Sequence, residues 1–204
     1  MLANKQTQVF ALNISAPFIP QFFGVQLQQI LPYCDILIGN ESEAAAWASA
    51  NGLPENSQPT DIAKAIAALP KANTSRPRIV VITQGAQSTI LVNSDEPNSP
   101  KVFPVPAMKD EDIVDTNAAG DAFAGGFLSG FILGKPLEEC VQAGHSLAQI
   151  CVGQVRDPKN THTTSITVLI CNANFRLVRS INGPRSKYSS LLYRIFSRID
   201  QTNP

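Results

Sequence analysis

The chain has 204 residues, 44% of them hydrophobic and 16% charged. That is enough for one sizeable core, and it excludes a disordered polymer. No apolar run reaches the length of a membrane span, and the opening MLANKQTQ lacks the apolar centre of a signal peptide. Net charge is zero, but as a balance of opposites: residues 1–154 carry eight Lys+Arg against fourteen Asp+Glu, and residues 155–204 carry eight against two. Such a split fits either a basic arm that binds polyanions or two segments of different history.

In chain order, QVFALNIS (8–15) is a short apolar run that predicts a buried strand. FIPQFFGVQLQQILPYC (18–34) has helical spacing at Phe22, Phe23, Leu27, Ile30 and Leu31 and is expected to stop at Pro32. DILIGN (35–40) predicts a second buried strand, and ESEAAAWASANG (41–52) an alanine-rich helix ended by Gly52. TDIAKAIAALP (60–70) predicts a helix with Thr60 as N-cap and Pro70 beyond its end. RIVVITQG (78–85) predicts a third buried strand. TILV (89–92) and KVFPVP (101–106) predict an antiparallel excursion around the turn NSDEPNSP. A helix is expected from about Ala119 to Leu133, ended by Gly134. Another, with Pro136 in its first turn, places Leu137, Cys140, Val141, Gly144, Leu147, Ala148 and Cys151 on one face. Unbroken apolar strands alternating with helices predict an α/β fold with a parallel sheet covered on both faces. Ligands of such sheets bind beyond the carboxyl ends of the strands, which points to Ser15, Asn40, Gln84 and the segment around Asp121. Cys34, Cys140, Cys151 and Cys171 have no paired metal-ligand spacing and are expected to be free thiols in a reducing compartment.

The segment DTNAAGDAFAGG (115–126) carries the most chemistry. The first turn of a helix has unpaired N–H groups and a partial positive charge, so it attracts anions. Ala118, Ala119 and Gly120 put no bulk over those amides, and Asp121 lies beside the same anion. A carboxylate there can accept a proton from a hydroxyl that attacks phosphorus, while the amides stabilise charge on the moving group. The structural alternative is that Asp115 caps a turn and Asp121 only complements the helix dipole. Gly125 and Gly126 allow close packing of this helix. Asn40 with Glu43 in GNESEAAAW has the pattern of a capping box. The same pair could instead order a hydrated Mg²⁺, because that ion keeps much of its water. Both readings can hold together. Thr83, Gln84 and Gly85 follow a strand and read as a tight turn.

DTNAAGDAFAGGFL resembles the C-terminal signature of the ribokinase-like (PfkB) carbohydrate and nucleoside kinases. The resemblance implies a ribokinase-like, Rossmann-type sheet flanked by helices, with ATP and Mg²⁺ as ligands. It implies Asp121 as catalytic base and Ala118, Ala119 and Gly120 as the anion hole, where the commonest family form has Gly at the place of Ala118. It implies Asn40 and Glu43 near the phosphates, Glu43 acting on the metal through water. Thr83, Gln84, Gly85 and His145 would lie along the nucleotide groove. The ordered segments LNISAPF, PYCDILIGNESEAAAWA, ITQG, DTNAAGDAFAGGFLSG and CVQAGHSLA are similar to the nucleoside branch more than to ribose or fructose kinases. Adenosine is therefore the implied acceptor at its 5′-hydroxyl, with Asn117 and Phe18 on the acceptor side, in purine salvage. A cytoplasmic site with the nucleus as a second compartment is implied, and neither a nucleic-acid nor a membrane partner.

The resemblance runs over about residues 2–154 and begins near the family's middle. The expectation is an N-terminally truncated, poorly active kinase domain at 1–154 and a non-matching basic tail at 155–204, read as disordered or as a gene-model artefact. The rival reading of the tail is a true arm whose YSSLLYRIFSRI forms an amphipathic helix against a membrane surface or partner. The alternatives in function are a non-catalytic nucleotide-binding fragment and a sugar kinase of the same family.

Overall fold

The computed structural model describes residues 9–153 and, of residues 175–177, the backbone. Three strands run parallel: β1 (Val9–Asn13), β2 (Ile36–Asn40) and β3 (Ile79–Thr83). Their registers pair Leu12 with Leu37 and Leu37 with Val80. β4 (Ser88–Asn93) folds back antiparallel on β3, and β5 (Lys101–Pro104) antiparallel on β4. β6 (Phe175–Leu177) lies parallel to β1, giving the order β5-β4-β3-β2-β1-β6. The sheet is thus mixed, with its antiparallel part confined to the expected excursion. β5 is largely exposed and carries Lys101 and Pro104, two features that discourage further strand pairing at an edge.

The six α-helices among the described residues divide between the two faces. α1 (Phe18–Phe22), α2 (Gly24–Ile30), α3 (Glu41–Ala50) and α4 (Pro59–Ala67) belong to one side, α5 (Ala119–Ile132) and α6 (Leu137–Val152) to the other. On the first side Leu37, Val80, Ile82 and Val92 meet Leu27, Trp47, Ala63 and Ile66. On the second, Ile36, Ile38, Val81 and Leu91 meet Phe123, Phe127, Cys140 and Val141. Alternate strand residues thus feed opposite cores, and strands buried on both faces read as continuous apolar runs.

Two helix boundaries differ from expectation. The predicted 18–34 helix is broken: Phe23 leaves helical geometry at φ −120°, ψ 29° between α1 and α2, and Leu31–Tyr33 is a 3₁₀ turn containing Pro32. Thr60 is not an N-cap. α4 starts at Pro59 with Gln58 as cap residue, because the fixed φ of proline suits the first helical position. Gly52 and Gly134 end helices as expected, at φ 74° and 69°. Cys34, Cys140 and Cys151 are free thiols, and Cys171 lies outside the described residues. The readings of the 155–204 tail also lie outside them, apart from the β6 backbone.

α5 and α6 pack closely because glycine takes the contact positions. A Cβ on Gly144 would lie 2.7 Å from the Phe123 ring, and one on Gly126 would collide with the Ala143 carbonyl. At the amino end of the parallel strands, Asp35 accepts from Lys71 Nζ (2.6 Å), Arg76 Nε (3.1 Å) and the Phe10 amide (2.9 Å). This paired cluster is structural. The opposite end of the strands holds the cavity.

Candidate active site

Asn13, Asn40 and Thr83 are the last residues of β1, β2 and β3, and all three line one cavity of about 220 Å³. Its other walls are Ser15, Ile38, Gly39, Glu43, Ala118, Gly120 and Asp121. Chain segments remote in sequence meet here because parallel strands all deliver their carboxyl ends to one edge.

Asn40 leaves β2 with extended backbone and caps α3. Its Oδ1 accepts from the Glu43 amide at 2.9 Å. In return Glu43 Oε2 accepts from the Asn40 amide at 3.0 Å, and Oε1 accepts from Asn40 Nδ2 at 3.2 Å. The capping box is therefore complete, and the same carboxylate faces the cavity. Burial pushes the Glu43 pKa up, with smaller contributions from the like charges of Glu41 and Asp121. Glu43 and Asp121 thus bring two carboxylates to the wall of one cavity.

Asp121 stands in the first turn of α5. Ala118 precedes the helix in the left-handed region, at φ 63°, ψ 5°. A left-handed residue running into a right-handed turn curls successive amides around a concave site suited to an anion. Gly120 lines the same cavity without a side chain, and a Cβ there would meet nothing within 4 Å. Asp115 does cap a turn, accepting from the Asn117 amide at 2.8 Å. The cap and the cavity coexist.

Ser15 is the second left-handed non-glycine residue, at φ 69°. Its amide donates to Asn13 Oδ1 and its hydroxyl to the Asn13 carbonyl, both at 3.1 Å. Both such residues among those described sit on the cavity wall. Strained backbone gathers at functional sites because the surrounding structure must hold it there. Asn13 was missed in the sequence. The signal was available: it ends a buried strand two residues before Ser15.

The remaining candidates lie elsewhere. Gln84 and Gly85 form the β3–β4 turn rather than the cavity wall. Gln84 accepts from Ser88 Oγ at 2.9 Å, and Gly85 takes φ 54°. Phe18 begins α1 and is 42% exposed. Asn117 lies in the turn before the cavity, where its carbonyl accepts from Cys151 Sγ at 3.7 Å. Ala119 opens α5 beside the cavity, although its neighbours supply the lining. His145 is 6% exposed, its Nε2 is 2.8 Å from Thr89 Oγ1, and it does not line the cavity. The family resemblance implies a place along the nucleotide groove for it. It is four residues after Val141, on the face that the helix turns inward.

A divalent cation suits the donors that meet here. Glu43 and Asp121 both bring hard carboxylate oxygens to the cavity, and a cation near both would offset their like charge. No cluster of three metal-ligating side chains occurs among the described residues. An ion here would accordingly keep water and ligand phosphates as most of its shell.

Residues 1–163 match the pfkB family carbohydrate kinase. Adenosine kinase from Schizophyllum commune is 52% identical over 150 residues, 74% of this chain and 44% of that protein. Adenosine kinase from Schizosaccharomyces pombe is 41% identical, over 74% of this chain and 43% of its own length. The chain thus spans less than half the length of these relatives. Among solved structures, Anopheles gambiae adenosine kinase in complex with P1,P4-di(adenosine-5) tetraphosphate superposes with a TM-score of 0.67 at 43% identity. That match covers 71% of this chain and 42% of the other. Schistosoma mansoni adenosine kinase in complex with 2-fluoroadenosine gives 0.68 at 37% identity, covering 72% and 42%. A Thermotoga maritima ribokinase gives 0.57 at 28%, covering 72% and 43%.

Proposed function

Since the chain belongs to the pfkB family of carbohydrate kinases, we propose that its cavity serves phosphoryl transfer from ATP to the 5′-hydroxyl of adenosine. The observation that carries this reading is the meeting of Asp121, in the first turn of α5 behind left-handed Ala118, with Glu43 across one cavity at the strand ends. Identities of 52% and 41% to adenosine kinases, against 28% to a ribokinase, favour a nucleoside over a sugar as acceptor.

The roles follow from position. Asp121 accepts the proton of the attacking hydroxyl. The amides of Ala119 and Gly120, with Ala118 turned out of their way, hold the charge on the moving phosphoryl group. Mg²⁺, when bound, neutralises charge on the phosphates. Asn40 and Glu43 orient water in that region, and Glu43 is kept in place by its three bonds with Asn40. Thr83 is fixed by donating to the Gly39 carbonyl at 3.4 Å and walls the phosphate side. Gln84 and Gly85 shape the turn beyond it, while Asn117 and Phe18 belong to the acceptor side. The same reading puts the enzyme in the cytoplasm, with the nucleus second, in purine salvage. Among the described residues no helix is long and apolar enough to cross a membrane.

The test is Mg-ATP-dependent phosphorylation by the protein at the length in which the cell makes it, with adenosine, ribose and fructose as competing acceptors. AMP formation that Asp121→Asn lowers on the order of 10²-fold or more supports the reading, because asparagine keeps the shape but takes no proton. Preferential phosphorylation of a sugar would move the assignment to another branch of the family.

A further inference from the structure

One buried hydrogen bond outside the cavity ties β4, which pairs with the β3 wall, to α6, which packs on the α5 wall. Thr83 ends β3 and lines the cavity, and its cross-strand partner is Thr89 on β4. Thr89, 1% exposed, meets His145 Nε2 at 2.8 Å. The His145 ring lies 5.6 Å from the Phe123 ring, centroid to centroid, with 48° between the planes. Phe123 is two residues after Asp121 on α5. A closed path therefore runs from the sheet end through Thr89, His145 and Phe123 to Asp121.

We propose that His145 is a positioning residue: through Thr89 and Phe123 it sets where the first turn of α5, with Asp121, stands relative to the carboxyl ends of β2 and β3. The consequence for catalysis rests on the kinase reading above, whereas the positioning of α5 does not.

The path is rigid at each step. Thr89 shares the face of Leu91, Val81 and Thr83 by strand alternation, so its hydroxyl points to the α5–α6 side. Threonine has a stiff χ1, and the hydroxyl is held in the interior where water cannot compete. Gly144 lets α6 press directly on Phe123, since a Cβ at 144 would lie 2.7 Å from two of its ring carbons. Phe123 is 3% exposed and lies 6.3 Å, stacked, from Phe127. It cannot move without moving α5. Without the His145 bond, the α5–α6 pair would rest on the sheet through apolar contacts, which are non-directional and leave small rotations cheap, and through the exposed Lys101–Glu138 ion pair. A rotation at Phe123 is carried half a turn back to Asp121. Positional errors near 1 Å cost on the order of 10²-fold in rate.

The experiment uses Thr89→Val, which keeps the shape and removes the hydroxyl, and Thr89→Ser, which keeps the hydroxyl, in the full chain. Hydrogen exchange is followed by mass spectrometry well below the melting temperature of each variant. Thr89→Val is expected to speed exchange in peptides covering 118–126 while leaving 36–50 unchanged, and Thr89→Ser to restore the parent rate. Equal exchange in all three proteins, or a uniform increase along the chain, overturns the proposal. In the kinase assay Thr89→Val should lower kcat on the order of tenfold or more at unchanged KM for ATP, again with rescue by serine. A raised KM for ATP at unchanged kcat would put His145 at the nucleotide and overturn its positioning role. If the parent protein transfers no phosphoryl group to any acceptor, the kinase reading fails, and the exchange result still decides whether His145 positions α5.

Discussion

Asn40 and Glu43 hold one another through three hydrogen bonds at 2.9, 3.0 and 3.2 Å, where a strand becomes a helix. The pair is a helix cap and part of a cavity wall at once, so a stability measurement and an activity measurement should disagree about it. Glu43→Gln retains one acceptor oxygen for the Asn40 amide and remains a legitimate capping-box residue. We expect its unfolding free energy at pH 7 to lie within about 1 kcal/mol of the parent, since one capping interaction is worth roughly that much. Phosphoryl transfer should fall much further, because the charge facing Asp121 is gone. Denaturant titration beside initial rates checks this. Parent-like rates in Glu43→Gln would reduce Glu43 to a cap.

Ala118 occupies a backbone conformation that favours glycine, at φ 63°. A left-handed L-residue costs about 1–2 kcal/mol. Glycine loses some of that advantage through its freer unfolded chain, by about 0.4–1 kcal/mol. Ala118→Gly should therefore stabilise the protein by about 0.5–1 kcal/mol without lowering activity. Ala118→Val should destabilise it, since a β-branched residue tolerates this region least. Paired denaturation curves decide the matter. A destabilised glycine variant would show that the alanine methyl makes contacts worth more than its strain.

Arg78 is 0% exposed and lies in no ion pair with a carboxylate among the described residues. Its guanidinium instead donates to five carbonyls. Nε reaches Cys34 (3.2 Å), Nη1 reaches Ile66 (3.1 Å) and Leu69 (2.6 Å), and Nη2 reaches Leu31 (2.7 Å) and Pro70 (3.0 Å). These carbonyls come from the end of α4 and the 3₁₀ turn, where helices leave acceptors unpaired and partially negative. The five donors of arginine match the five acceptors. Arg78→Met should cost about 3–5 kcal/mol, the order observed when one side of a buried charged network is removed. Arg78→Lys should recover only part, having three donors in the wrong geometry. Both are checked by thermal or denaturant unfolding, and a loss below about 1 kcal/mol for methionine would refute the account.

Arg78 also shows where the sequence was silent. The strands were legible because IVVIT and ILIGN are apolar without interruption, and a strand buried on both faces has no other way to read. Part of the cavity was legible for the same reason: once parallel strands are placed, last residues such as Asn40 and Thr83 must share an edge, whereas Asp121 reaches that edge from the first turn of α5. In the sequence Arg78 only opens the buried strand 78–85, because the carbonyls that hold it come from two distant segments, 31–34 and 66–70. The bond from His145 to Thr89 could not be read from the sequence, since the two lie 56 residues apart. Gln84 and Gly85 form the tight turn that their sequence suggests, because β4 returns antiparallel on β3. The break at Phe23 falls beside Gly24 and three residues after Pro20, although helical spacing continues straight through it.

Stability against pH should carry two opposing slopes from the site region. Burial holds the His145 pKa below 6.5, so as pH falls through 6.5 the unfolded chain takes the proton first, and stability is lost. Burial, with the charges of Glu41 and Asp121, holds the Glu43 pKa above 4.5. As pH rises above 4.5 the unfolded chain therefore ionises first, and stability is lost in that direction. Removing each group should isolate its slope. The gain of Glu43→Gln over the parent should grow as pH rises from 4.5 toward neutrality, because glutamine never carries the disfavoured charge. The deficit of His145→Gln relative to the parent should shrink as pH falls below 6.5, because the parent then bears a cost that the variant escapes. Urea midpoints at half-unit intervals from pH 4.5 to 8 measure both. Parallel curves for His145→Gln and the parent would mean that the buried ring takes a proton as readily as it does in the unfolded chain. That result would be incompatible with a neutral imidazole locked between Thr89 and Phe123.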